Sequence, residues 1–190
     1  MLVIMPVPKL ALVVGERVYL RRPRTVDAAL FCAAVRASRT IHRRWTHPPS
    51  TRKGYAAMLA RCRGPASETL FACRREDDGL VGVFDLSQIY RGIMQSAYLG
   101  YYALAPHARQ GYMRDGLALM LRYAFRTLRL HRVESNIQPE NRRSIGLVRR
   151  AGFVREGYSR RYLKIGGRWR DHERWALLVE DWRARRRRGR

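Results

Sequence analysis

A mixed α/β sheet, largely antiparallel with one parallel pair of strands, is the fold class this sequence predicts, and three observations lead to it. The run Ala97–Leu104 is nearly all apolar, as a strand buried on both faces would be. A helical run and a short strand follow it with tight connections. That makes a strand–helix–strand unit whose strands lie parallel through a right-handed crossover. Two hairpin signals flank the unit, Glu76-Asp77-Asp78-Gly79 before it and Gly166-Gly167 after it. Neither a Rossmann fold nor a barrel has this order of elements.

In chain order, Glu16–Arg22 alternates around Val18 and Leu20 as a strand does. Thr25 is placed to cap a helix over Val26–Ser38, with Asp27 in its first turn and Leu30, Phe31, Ala34 and Val35 on one face. Ile41–Thr51, with Trp45 and a proline pair, reads as a loop and Arg52–Arg61 as a second helix. Thr69–Arg74 and Gly79–Leu86 are the strands of the first hairpin. After the apolar strand, Met113–Thr127 carries Leu117, Met120, Leu121 and Ala124 at helical spacing, and Arg132–Ile137 is a short strand. Asn141 is placed to cap a helix that closes at Gly152. Phe153–Ile165 and Trp169–Val179 are the strands joined at the glycine pair.

The chain has 190 residues, 46% of them hydrophobic, enough for one domain with a substantial core. Without internal repeats or linkers, the expected organisation is an N-terminal arm over 1–15, a single domain over 16–181 and an Arg-rich, unstructured tail over 182–190. No apolar run approaches the ~18–20 residues that cross a membrane. The apolar opening lacks a basic lead and is interrupted by Pro6 and Pro8, so it reads as an arm rather than a secretion signal. The cytoplasm is the expected compartment. Cys32, Cys62 and Cys73 form no CxxC and the histidines are scattered, so neither a disulfide framework nor a metal site is expected.

Charge is the outlier. Lys and Arg number 39 against 15 acidic residues, a formal charge of +24. Lys9, Lys53 and Lys164 are the lysines, and the rest are arginines. A coding preference for arginine explains Arg in place of Lys, but it does not explain the surplus. Such a field attracts polyanions. The stretch Arg183–Arg190 supplies six of the arginines, either as a solvated end or as an interaction tail.

Two constellations carry candidate chemistry. In the first, His107-Ala108-Arg109-Gln110-Gly111-Tyr112-Met113 runs straight from the apolar strand into a helix. A helix N-terminus offers unpaired N–H groups and partial positive charge to a phosphate. Gly111 permits close backbone approach and Arg109 adds charge. Taken alone, the segment is equally an ordinary strand-to-helix turn, and it is neither a Walker A loop nor a GxGxxG. In the second, Asn141 and Ser144 open a helix at the end of a strand and set two short polar side chains at one rim. Taken alone, that is a capped helix with a serine in its first turn.

Together and in this order, the segments YLGYYALAPHARQGYMRDGL and LHRVESNIQPENRRSIGLVRRAGFVREGYSRRYLKIGGRWRDHERWAL resemble the GNAT family of acetyl-CoA-dependent N-acetyltransferases. The ending Gly152–His172 is similar to the RimJ-type, ribosomal-protein-alanine branch of that family. The resemblance runs from about Glu16 to Asp181. It implies an acyl-CoA N-acyltransferase fold whose sheet is splayed at its one parallel strand pair, with acetyl-CoA in the opening as co-substrate and no metal. The family loop is Gln/Arg-x-x-Gly-x-Gly/Ala; here Ala108 and Met113 depart from it, while a methionine at the last place is similar to the RimJ branch. The resemblance implies cofactor contacts from Ala103, Leu104, Arg109, Gln110, Gly111, Tyr112, Met113, Arg114, Asp115 and Asn141. Arg109 or Arg114 would stand in for the side chain missing at Ala108.

For catalysis, the family tyrosine seven residues after the asparagine is absent, since Val148 stands there. Ser144 matches the serine given the acid role in this branch. Glu134 is the nearest carboxylate for a base, and equally an ion-pair partner for one of the arginines. An N-terminal α-amine, with a pKa of about 7.7–8.0, sheds its proton with little help, so a relayed water suffices as base. Backbone N–H groups near Leu104 would polarise the thioester carbonyl. The acceptor implied is the N-terminal alanine of a ribosomal protein, on the ribosome or an assembling subunit. Contact with ribosomal RNA through the Arg-rich surface is a further expectation. Two alternatives stay open: acetylation of a small amine or antibiotic, and a non-catalytic RNA-binding module on the same scaffold.

Overall fold

The computed structural model of the chain describes residues 8–62, 64–105 and 107–188. Residues 1–7, the first part of the expected arm, lie outside them. The end of that arm joins the sheet: β1 (Val13–Val14) pairs with β2 (Val18–Arg21), Val13 opposite Leu20. A 3-10 turn (Thr25–Asp27) leads into α1 (Ala28–Ala37), followed by α2 (Arg39–His42) and α3 (Arg52–Arg61). The helix therefore begins two residues later than Thr25 capping would give, and a short helix stands in the expected loop. Asp27 is the cause of the first difference. Its carboxylate takes both Nη atoms of Arg21, at 2.7 and 2.9 Å, and the Arg24 N–H at 2.7 Å, so the chain winds tightly around it.

The hairpin strands are β3 (Glu68–Arg74) and β4 (Leu80–Tyr90), and the apolar strand is β5 (Ser96–Ala103). Next come α4 (Tyr112–Arg122), extended by a π turn over Tyr123–Thr127, then β6 (Arg132–Ile137) and α5 (Arg142–Ala151). Asn141 caps α5 through its side chain and Gly152 ends it at φ +101°, as their residue types require. The second hairpin is β7 (Val154–Ile165) with β8 (Arg168–Leu178), and α6 (Val179–Arg188) closes the described chain.

The eight strands form one sheet in the order β1-β2-β3-β4-β5-β6-β8-β7, with β5 and β6 the parallel pair and every other pairing antiparallel. The core lies on both faces. Leu117, Met120 and Phe125 pack with Phe84, Leu99 and Val133 on one side. Phe31, Tyr55 and Phe71 pack with Val83 and Leu104 on the other, the Phe31 and Phe71 rings stacked at 5.3 Å. No helix among the described residues is long and apolar enough to cross a membrane.

β5 corrects the expectation of burial on both faces. Its first half is buried, but Gly100 is exposed and Tyr101 to Ala103 are half-buried. The pairing with β6 consists of Ser96 with Arg132, Ala97 with Val133 and Tyr98 with Glu134, and there it stops. The tail is corrected as well: 182–188 is helical, not unstructured. Val179 and Trp182, three residues apart on one face of α6, are both buried, and the Trp182 indole lies 5.3 Å from the Phe125 ring. Arg185 donates to the Arg150 carbonyl at 3.1 Å. Two apolar anchors thus fix a helix that composition alone would leave in solvent.

Replacing Trp182 by Ala is expected to cost about 3 kcal/mol, the lower end for a buried aromatic, in urea unfolding, and to free the α6 amides to hydrogen exchange. A variant of unchanged midpoint with protected α6 amides would contradict this docking.

Candidate active site

Where β5 and β6 part, the last tie between them is the Ser135 hydroxyl, which donates to the Leu99 carbonyl at 3.0 Å. Beyond it the facing backbone edges separate, and the N-termini of α4 and α5 meet the opening. At the head of α4, Gly111 is the N-cap at φ +84°, a left-handed conformation that favours glycine. The first-turn N–H groups of Tyr112 and Met113 have no intrahelical partner. Arg109 also holds a positive φ, +68°.

This loop is pinned by a residue that sequence reasoning missed. Arg17, in the β1–β2 turn, donates through Nε to Asp115 Oδ2 at 2.7 Å and through Nη1 to the Gln110 carbonyl at 3.3 Å. Its guanidinium also lies 4.9 Å from the Tyr112 ring centroid. Asp115 is therefore tied to a cation, with Arg114 Nε a further 3.6 Å contact, rather than turned as a bare carboxylate toward an anion. Arg17 lies almost a hundred residues upstream, and no local pattern marks it. The departure at Met113 has a packing reason. A Cβ on Gly82 of β4 would collide with Met113 Sδ, so the glycine makes room for the methionine.

At the head of α5, Asn141 Oδ1 accepts the Ser144 N–H at 3.2 Å. Ser144 Oγ lies 2.5 Å from the Tyr101 hydroxyl, which also reaches the Ser144 carbonyl at 3.2 Å. Val148, at the family tyrosine position, is fully buried and has no access to the opening. A phenol is nevertheless present: Tyr101 brings it from β5 rather than from α5. Burial pushes the Tyr101 hydroxyl well above its ordinary range, more than the Ser144 hydrogen bond lowers it, so it stays protonated. Only the parting of the strands places Tyr101 beside a serine 43 residues away.

On the other side of the opening, the donors expected near Leu104 do not include the Leu104 N–H itself. It is spent on the Val81 carbonyl at 2.7 Å. By strand alternation it is the Ala103 backbone that faces the parting. His42 of α2 donates from Nε2 to the Ala103 carbonyl at 2.7 Å, and the Ala105 N–H donates to Ser38 Oγ at 2.9 Å. Gln138, just past β6, donates to the Arg44 carbonyl at 3.4 Å. The segment from Ser38 to Arg44 thus spans the mouth from the end of one parted strand to the end of the other. His42 Nδ1 and Asn136 Oδ1 are buried and have no hydrogen-bond partner. Asn136 follows Glu134 on the same face of β6, two residues past the last paired rung.

Glu134 has the ion-pair arrangement. Its Oε1 accepts from Arg132 Nε at 2.9 Å, and Arg132 reaches on to Glu156 Oε1 at 2.9 Å. Across the rung, the Tyr98 hydroxyl is pushed up to about 12, first by its hydrogen bond to Tyr162, then by burial and by Glu134. The RimJ-like ending has a structural reason too. Asp171 accepts the Tyr158 hydroxyl at 2.6 Å and the Arg161 N–H at 2.7 Å, holding a bulge that turns Tyr162 edge-on to the buried His172. A separate cleft of about 560 Å³ lies between α1 and α3, lined by Val26, Tyr55 and Leu59 among others, away from this opening.

A sheet opened at one parallel pair, with a glycine-headed helix on one edge and a polar helix start on the other, defines an acyl-CoA N-acyltransferase fold. Residues 17–154 match the family described as the Acetyltransferase (GNAT) domain, and the chain belongs to that family. It is 41% identical over 105 residues to a probable N-acetyltransferase, YjcK, of Bacillus subtilis, covering 55% of this chain and 58% of that protein. It is 39% identical over 107 residues to the [ribosomal protein uS5]-alanine N-acetyltransferase of Escherichia coli, covering 56% of this chain and 55% of that one. The chain thus matches a little over half the length of these curated relatives. The structure of Mycobacterium smegmatis RimJ in complex with CoA-disulfide superposes with a TM-score of 0.79 at 27% identity, over 86% of this chain and 82% of that one.

Burial lowers His42 below its ordinary 6.5, against the opposing hydrogen bond to Ala103, and lowers His172 against Arg170, Asp171 and Glu140. Both groups bind protons more readily unfolded than folded. Their contribution to stability is therefore present above pH 6.5 and lost as pH falls from there toward the folded values. Urea midpoints measured from pH 7.5 to pH 5 should fall, and less steeply in His42→Gln. An identical slope in that variant would contradict the burial of a neutral His42.

Proposed function

We propose that this protein is an acetyl-CoA-dependent N-acetyltransferase acting on an N-terminal α-amino group, most closely that of an alanine at the start of a ribosomal protein. The observation that carries the reading is the opening between β5 and β6, with the head of α4 on one side and the Asn141–Ser144–Tyr101 group on the other. Supporting it are the curated relative that acetylates a ribosomal-protein alanine and the superposed neighbour solved with a coenzyme A disulfide.

In this reading the pyrophosphate lies on the N–H groups of Gly111 to Met113, where backbone donors and the helix dipole meet an anion without side-chain charge. Arg109 and Arg114 add positive charge, and Arg17 keeps Asp115 neutralised. The thiol-bearing arm runs along the unpaired edge of β5, and the Ala103 N–H polarises the thioester carbonyl. Asn141 fixes the start of α5 and offers its amide nitrogen to the arm. The amine nitrogen attacks the carbonyl carbon, the C–N bond forms and the C–S bond breaks. Ser144, itself bonded to the Tyr101 phenol, donates a hydrogen bond to the departing sulfur. The amine enters beneath the Ser38–Arg44 span, where His42 Nδ1 and Asn136 Oδ1 are buried acceptors that lack a donor. An N–H-bearing group is the chemistry they suit. With an α-amine the excess proton leaves through water, and Glu134 retains its ion pair.

The test is acetyl transfer, read by mass, to a free peptide beginning with the uS5 alanine and to spermidine as a small amine. Peptide acetylation with spermidine untouched supports the reading. The reverse result assigns a small-amine enzyme, and binding of RNA without any transfer or coenzyme binding assigns a non-catalytic module. Gly111→Glu is expected to abolish binding of coenzyme A in calorimetry, since it sets a negative side chain on a left-handed position where the pyrophosphate lies. Unchanged affinity in a folded variant would remove the loop from the site.

Ser144→Ala is expected to lower kcat about 10–100-fold with coenzyme A affinity little changed, the low end of acid–base effects. Tyr101→Phe should give a loss of the same kind but smaller. Full turnover in Ser144→Ala would reduce Ser144 to a helix-start residue.

A further inference from the structure

We propose that the cationic cleft between the π turn and α6 is a second binding site, one for the phosphate backbone of a nucleic acid. It lies at the opposite end of the sheet from the transfer site. Gln95 precedes β5, His131 precedes β6 and Val179 follows β8, and all three line the cleft. The opening is at the other ends of β5 and β6, about 25 Å away along an eight-residue strand. The inference does not depend on which amine the protein acetylates.

The cleft encloses about 500 Å³, and its polar lining is Gln95, Arg126, Arg129, His131 and Arg183, with Trp182 in its apolar floor. No carboxylate lines it among the described residues. The rim carboxylate Glu180 lies 3.3 Å from His131 Nε2. Arg126 and Arg186 both sit over the Trp182 ring, at 5.7 and 5.1 Å from its centroid. Arg122 is held so close by that its guanidinium is destabilised, by burial first and then by Arg186 and Arg126. Arg129 takes a left-handed backbone, φ +54°, unusual for a side chain of its size. Neither Arg129 nor Arg183 has a carboxylate partner among the described residues.

Gathering Arg126, Arg129 and Arg183 against one rim carboxylate is unfavourable in the free protein, and a polyanion relieves it. An array favours a chain of phosphates over a single one. Arg183 and Arg187 are four residues apart on α6, about 6 Å along its axis, so the cation row continues out of the cleft. The docking of α6 through Trp182 makes that row rigid, so less side-chain and backbone entropy is lost on binding.

The probe is a fluorescein-labelled single-stranded RNA of about 15 nucleotides, followed by anisotropy across a salt series with the full chain. The wild-type protein should bind with affinity falling steeply in salt. Arg126→Glu with Arg183→Glu should weaken binding at least about tenfold and flatten the log–log salt slope by about 1.4, two contacts at ~0.7 each. Arg129→Gln with Arg183→Gln, which leaves the Trp182 stack intact, should give a smaller loss in the same direction. Lys53→Glu with Arg61→Glu on α3 changes net charge equally and should leave binding within about threefold. Coenzyme A affinity should be unchanged in all of them, which also reports that they fold. Equal weakening by the α3 pair would mean that overall charge alone attracts RNA and would overturn the site. So would an absence of RNA binding by the wild-type protein at low salt. Displacement of the RNA by adenosine monophosphate would assign the cleft to a single small phosphate instead.

Discussion

The loss of hydrogen bonding between β5 and β6 after the Tyr98–Glu134 rung is the constraint on which the rest of the molecule depends. Two strands in the middle of a sheet normally satisfy each other's backbone groups, and a buried unpaired group costs on the order of 1–3 kcal/mol. Here the edges are met piecemeal by side chains. Ser135 takes Leu99, His42 takes Ala103, and Ser38 takes Ala105. Past the Tyr98–Glu134 rung the two strands have no ladder pairing with each other.

Keeping the strands apart without unravelling the sheet requires a frame, and scarce carboxylates build it. With 15 acidic residues against 39 basic ones, several acids are used where an element must be fixed. Asp27 and Arg21 form a buried two-pronged pair that sets the start of α1. Glu68 holds Arg22 and accepts from the Tyr123 hydroxyl at 3.0 Å, joining β2, β3 and the π turn. Asp115 ties the head of α4 to Arg17, and Glu134 with Glu156 brackets Arg132 across β6 and β7. Such pairs set register and orientation more than they add net stability. Of the arginines outside these pairs, Arg126, Arg129 and Arg183 meet at the far end of the strands, beside α6.

Much of this molecule was legible in its sequence, because the relevant forces are local. Apolar spacing, the cap at Asn141, the glycine at Gly152 and the glycine pair of the second hairpin act within a few residues. The helices Arg52–Arg61 and Arg142–Ala151 and the strand Arg132–Ile137 accordingly lie where the spacing put them. The parallel pair followed from the strand–helix–strand order. The glycine-headed loop and the Asn141–Ser144 pair were recognisable as residues that belong together in one family.

What only the tertiary structure decided are the contacts that join distant segments. Nothing near Tyr101 announces that its hydroxyl meets Ser144, or near Arg17 that it anchors the loop at Gln110 and Asp115. His42 looked like one of five scattered histidines until the α1–α2 junction was placed across the mouth. The Arg-rich end was misjudged for a related reason. Its composition favours solvent, and its order comes from two apolar residues meeting a surface built by the π turn. Local chemistry decides which element forms, so sequence suffices for it. Which strand edges part, and which side chains the gap brings face to face, depends on packing among elements a hundred residues apart.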